Sequence, residues 1–145
     1  MHSLSPSDLR VLLIEPSSLQ RKIIIGELNA EDITQIDSVS GKSEAKAYLA
    51  NTSPDLVISS LYFKDGTATE LLADIRADSA FETLPFMLIS SETKRDQLEV
   101  FKQSGIIAIL PKPFTRTHLG MAINSTLDIL SSDELDLELY DVDTL

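Results

Sequence analysis

Four short clusters gather the side chains able to do chemistry: Glu15-Pro16, Ser59-Ser60, Ser90-Ser91 and Pro111-Lys112-Pro113. Each follows a run of apolar residues. Together they offer one carboxylate, several hydroxyls and one ammonium. A serine hydroxyl is a poor nucleophile until a neighbouring base takes its proton. The chain has no cysteine and only two histidines, His2 and His118. Thiolate chemistry, disulfides and histidine-rich metal sites are therefore excluded. Glu15 is the one carboxylate in the set that could serve Ser60 as a base. The simpler reading makes Ser59 and Ser60 small residues ending a buried strand, with hydroxyls bonded to backbone. It pairs Lys112 with Glu15, because an unpaired charge beneath loops is costly. His118 reads as a partly exposed helix residue.

The chain carrying these clusters has 145 residues, the size of one domain. Hydrophobic residues make up 43% and charged residues 24%, a globular composition. A net charge of −11 argues against nucleic-acid binding, because phosphates are repelled. No apolar run reaches the roughly 18 residues of a membrane span. The polar stretch from Met1 to Asp8 lacks a signal-peptide pattern. A soluble cytoplasmic protein is the expectation. Asp133, Glu134, Asp136, Glu138, Asp141 and Asp143 crowd residues 131–145, which contain no base. Such a segment repels itself and reads as an acidic linker or tail, leading to a further domain. Pairing of this stretch with a partner, as an amphipathic strand or helix, is the alternative.

The elements that must position the four clusters follow from the apolar pattern. Val11 to Ile14, Leu56 to Ile58, Phe86 to Ile89 and Ile106 to Leu110 are continuous apolar runs, as expected for strands buried on both faces of a parallel sheet. The alternating run Ile33 to Val39 suits a strand nearer an edge. Helical patterns lie between them. Ser17 with Gln20 caps a helix carrying Leu19, Ile23 and Leu28, and Ser43 caps one carrying Ala45, Tyr48 and Leu49. Thr67 with Glu70 opens a third and Thr93 a fourth, which Gly105 ends. Thr115 caps a last helix with a stripe at Leu119, Ile123, Leu127 and Leu130. The pattern is (βα) repeated five times, a doubly wound parallel sheet with helices on both faces. In such sheets the site lies at the carboxyl ends of the strands, where all four clusters fall.

At these positions the sequence resembles the receiver domains of two-component response regulators, over roughly residues 9–130. Val11 to Ser17 resembles the first strand and its acidic pair. Ser53 to Ser60, then Asp65-Gly66 and Glu70-Leu71-Leu72, resembles the third strand, its loop and the next helix. Leu84 to Ser91 resembles the fourth strand, and Leu110-Pro111-Lys112-Pro113-Phe114 the fifth. The resemblance implies a flavodoxin-like fold. It also implies a chemistry in which an aspartate ending the third strand takes a phosphoryl group from a phosphohistidine. Acids after the first strand hold Mg²⁺, the fifth-strand lysine adds positive charge, and a Thr or Ser ending the fourth strand binds the phosphoryl oxygens.

The departures fall on the reacting residues. Ser60 stands at the acceptor position and Pro16 at the second position of the acidic pair, which leaves Glu15 alone. Ser90 and Lys112 are kept. Ile109 stands where many receivers carry an aromatic switch residue. Pro113 is expected to follow a cis bond, as is usual in the family. Asp65, on a shortened loop, is the alternative acceptor. The expectation is thus a receiver-type signalling module, degenerate at its phosphorylation site. It is not an enzyme, has no cofactor and no metal site, and acts through protein contact. Its partner would be a histidine kinase, another receiver or an output domain, with a homodimer as a further option. Nucleic acid and membrane are not expected partners. Rival readings are a competent receiver using Asp65, and a small serine hydrolase or ligand-binding domain using Ser60 or Ser90. The excess apolar matter near Phe101 and Ile109 is expected to form a docking patch.

Overall fold

The computed structural model describes residues 4–91, 99, 103, 105–112 and 114–143, the last twelve as backbone only. Its elements are β1 (Arg10–Ile14), α1 (Ser18–Ala30), β2 (Gln35–Val39), α2 (Lys42–Asn51) and β3 (Leu56–Ser60). A short ribbon follows, β4 (Tyr62–Phe63) and β5 (Gly66–Thr67), then α3 (Ala68–Ala77), β6 (Phe86–Ser90), β7 (Ala108–Pro111) and α4 (Arg116–Asp143). Five strands form one parallel sheet in the order β2-β1-β3-β6-β7. The order reverses at β1, and the registers Ile14↔Ser59, Ser60↔Ile89 and Ser90↔Pro111 bring the carboxyl ends level. This is the flavodoxin-like sheet expected from the sequence.

Alternation along each strand feeds two apolar layers. Leu12, Ile14, Val57, Phe86 and Leu88 meet Ala45 and Leu49 of α2 and Leu71, Leu72 and Ile75 of α3. Their neighbours Val11, Leu13, Leu56, Ile58, Met87 and Ile89 face the other way, onto Ile24 and Leu28 of α1 and Leu119, Ala122 and Ile123 of α4. Burial on both faces explains why these strands read as unbroken apolar runs. The edge strand β2 is only partly covered: Ile36 and Val39 are half-buried, whereas Gln35, Asp37 and Ser38 are exposed.

Two local expectations change. Helix α1 buries Ile24 and Leu28, whereas Leu19 and Ile23 are exposed; the buried side of the helix is rotated from the stripe read in the sequence. Helix α2 has Gly41, not Ser43, at its N-cap, with no side-chain cap of its own. The last helix continues through Asp143, over the stretch read as a linker. The other caps agree. Ser17 Oγ accepts from the Gln20 amide, Thr67 and Glu70 form a capping box, and the His118 amide donates to Thr115 Oγ1. Gly105 has φ 81°, the left-handed conformation that glycine favours. The Thr93 cap, Phe101 and Pro113 lie outside the described residues.

Because Ile24 packs in the core and Ile23 does not, neighbouring truncations should diverge. Ile24→Ala is expected to cost about 2–4 kcal/mol. Ile23→Ala in dilute protein should stay within about 0.5 kcal/mol. Urea unfolding of the two variants checks this.

Candidate functional site

Glu15 leaves β1 at the point where the sheet order reverses, and it is 4% exposed. A carboxylate taken out of water needs partners for both oxygens. Oε1 accepts from the Ser60 hydroxyl at the end of β3 and from Lys112 Nζ at 3.3 Å. Oε2 accepts from the Ser17 amide at 2.9 Å, and Ser17 in turn caps α1. The Lys112 side chain is part-exposed, and its backbone amide donates to the Ser90 carbonyl at 3.2 Å. The structure thus brings together Glu15, Ser60, Ser90 and Lys112. The ion pair between Glu15 and Lys112 is the one read in the sequence. Ser59 bonds backbone as expected, its hydroxyl donating to the Ser60 carbonyl at 2.8 Å. Ser60 does not: its hydroxyl goes to Glu15, a charge-assisted bond stronger than one to a carbonyl. No buried side-chain nitrogen or oxygen among the described residues lacks a partner.

Asp65 has a different task. It sits in the turn of the β4–β5 ribbon, and its two carboxylate oxygens accept from the Lys42 and Ser43 amides, each at 2.9 Å. The first-turn amides of α2 have no intrahelical acceptor, and the Gly41 cap has no side chain to supply one. Asp65 supplies it from across the chain. The bonds from the Ser43 and Lys42 amides hold its carboxyl down at about 2. A Cβ on Gly41 would lie 2.6 Å from Asp65 Oδ1, so the bare cap lets the carboxylate in. Sequence reasoning missed this role. Its trace was a helix start without a polar cap and a distant Asp-Gly turn.

Ile109 is half-buried and packs with Ile106 against the α2–α3 layer. A groove of about 460 Å³ lies between β7 and α4, lined by Ile109, Leu110, His118, Met121 and Ser125. A smaller one of about 170 Å³ lies between α2 and α3, beside Lys46, Asp74 and Phe81. Neither is lined by Ser60 or Ser90. Among the described residues, no group of three acids, histidines or cysteines is placed to hold a metal. None of the described helices is long and apolar enough to cross a membrane.

Residues 11–124 match the family model of the response regulator receiver domain. The chain belongs to that family. It is a receiver domain of the two-component signalling type. The chemotaxis protein CheY of Pseudomonas aeruginosa is 27% identical over 107 residues, covering 74% of this chain and 86% of the relative. CheY-3 of Vibrio cholerae is 25% identical over 130 residues, covering 90% of this chain and all of the relative (100%). Among solved structures, the signal receiver domain of an HD domain-containing protein from Pseudomonas fluorescens Pf-5 superposes with a TM-score of 0.76. That pair is 21% identical, over 86% of this chain and 98% of the other. The likeness fixes the fold of the receiver.

Two measurements follow from the site. Glu15→Gln removes the charge that Lys112 and Ser60 face, and should destabilise the receiver by about 1–3 kcal/mol in urea unfolding. Asp65 is lowered from 3.8 to about 2 by folding. A lowered carboxyl stabilises the fold above its unfolded value, and that contribution is lost as pH falls from 3.8 toward 2. Asp65→Ala should unfold more easily at neutral pH. It should also lose less additional stability than the parent chain across that acid window, read from urea midpoints against pH.

Proposed function

We propose that this receiver signals without an aspartyl phosphate, through protein contact alone. The observation carrying this reading is the Glu15 carboxylate, occupied by Ser60 and Lys112 where a phosphoacceptor site would need them free. Family chemistry asks for a carboxylate nucleophile at the end of the third sheet strand. Ser60 offers a hydroxyl there, already donating to Glu15. The residues present do not fit Mg²⁺. Pro16 and Ser60 supply no carboxylate, and both oxygens of Glu15 are engaged by protein donors. One acid with its charge paired is too little for a hard cation that prefers several oxygen ligands. Asp65, the alternative acceptor, is committed to the α2 amides.

In this reading Lys112 and Ser90 keep their places as structural remnants of the phosphoryl pocket. Ile109 replaces the aromatic switch residue, and Pro113 follows the lysine. The receiver still responds if a partner binds one of its conformations more tightly than another. That partner is a histidine kinase, a second receiver or an output domain, met in the cytoplasm. Residues 9–130 form the receiver, and residues 131–145 connect it onward. The hydrolase reading is weaker. Ser60 has a carboxylate beside it, but Lys112 holds that carboxylate in an ion pair.

The test is incubation of the full chain with Mg²⁺ and a small phosphodonor such as acetyl phosphate, followed by intact mass and site mapping. The unmodified mass is expected. Stoichiometric phosphate on Asp65 or Ser60 would overturn the proposal. Amide chemical shifts of Ser17, Ser60 and Lys112 should likewise stay unchanged on titration with Mg²⁺.

A further inference from the structure

Helix α1 points apolar side chains away from the core. Leu19 is 64% and Ile23 48% exposed, and Gly26 and Ala30 are exposed as well. These four lie within an arc of about 60°, roughly 150° from the Ile24–Leu28 side, at 100° per residue. Their spacing of four, three and four residues is a heptad seam: Leu19 and Gly26 at d, Ile23 and Ala30 at a. Gly26 sharpens the point. Its backbone φ is not positive, and a Cβ there would meet nothing within 4 Å. A glycine in mid-helix weakens the helix, and nothing among the described residues requires it. A second backbone approaching closely would.

We infer that α1 pairs in parallel with α1 of a second copy of this chain. Charge picks the occupant and its direction. Lys22 precedes an a position and is a g residue; Glu27 follows a d position and is an e residue. In a parallel pair, g of one helix faces the e residue five positions on in its partner. Lys22 therefore meets the second copy's Glu27, and symmetry makes the contact twice. An antiparallel pair would instead gather the two lysines on one side of the seam and the two glutamates on the other. Among the described residues neither Lys22 nor Glu27 forms an ion pair. Ile at a with Leu at d is the combination that favours two parallel strands, and Gly26 and Ala30 let the C-terminal halves close in. The seam is only three turns long, well short of the roughly 1,200 Å² of a stable interface, so the dimer is weak and dynamic. The inference is independent of whether the receiver takes a phosphate.

Sedimentation velocity of the full chain over a wide concentration range, at low salt, tests it. A concentration-dependent monomer–dimer equilibrium is expected. Ile23→Glu should abolish it with the far-UV spectrum unchanged. Lys22→Glu and Glu27→Lys should each weaken dimerisation by about tenfold or less, and the double exchange should restore it. A spin label at residue 22 or 29 should report the same residue of the second copy across the seam at a distance typical of a parallel pair. A chain that stays monomeric throughout overturns the inference. So does a dimer indifferent to Ile23→Glu, or one the double exchange fails to restore.

Discussion

A single buried charge ties the upper end of this receiver together. The Glu15 carboxylate lies at 4% exposure, and leaving it unpaired there would cost several kcal/mol. Its partners come from three other elements: the Ser17 amide at the start of α1, the Ser60 hydroxyl at the end of β3 and the Lys112 ammonium after β7. These bonds join the end of β1 to the start of α1, the end of β3 and the residue after β7. The same contact uses the acid, hydroxyl and ammonium that would otherwise face a phosphoryl group. The junction of these strand ends follows from one electrostatic requirement, the pairing of a buried carboxylate.

Asp65 solves a milder problem in a wetter place. The amides opening α2 need an acceptor, and an exposed carboxylate reaches them from the β4–β5 ribbon. Because the carboxylate stays in water, its charge costs little, and the amides favour the ionised form. Glu15 and Asp65 therefore serve the fold in opposite settings, one buried and triply bonded, the other exposed and capping. The ribbon that carries Asp65 also fixes the exit from β3, where Ser60 sits.

The two faces of the sheet carry different demands. The layer under α2 and α3 contains the aromatic residues Phe63, Phe81 and Phe86, while the layer under α1 and α4 is built mainly of aliphatic side chains. Helix α1 needs only Ile24 and Leu28 to anchor it among the fully buried residues. That narrow anchor frees its outward side, where apolar residues are not required by the core.

Sequence alone determined the order of strands and helices, the parallel sheet and the strand-end location of Glu15, Ser60, Ser90 and Lys112. Apolar runs and capping residues are local signals, and the (βα) order leaves few topologies. The pairing of Lys112 with Glu15 was legible too, since both follow strands of one sheet at its carboxyl side and an unpaired charge beneath the loops is costly. Tertiary structure decided the rest. In α1, three consecutive isoleucines, Ile23 to Ile25, satisfy more than one helical stripe. Only docking against β1, β3 and α4 selected Ile24 and Leu28 for the core. The cap of α2 was invisible for a related reason: its acceptor, Asp65, lies more than twenty residues away, and only the folded chain brings it to the Lys42 and Ser43 amides. Ser60 found Glu15 instead of backbone because parallel pairing of β1 with β3 set a charged acceptor beside its hydroxyl, a choice that no local stretch of sequence contains.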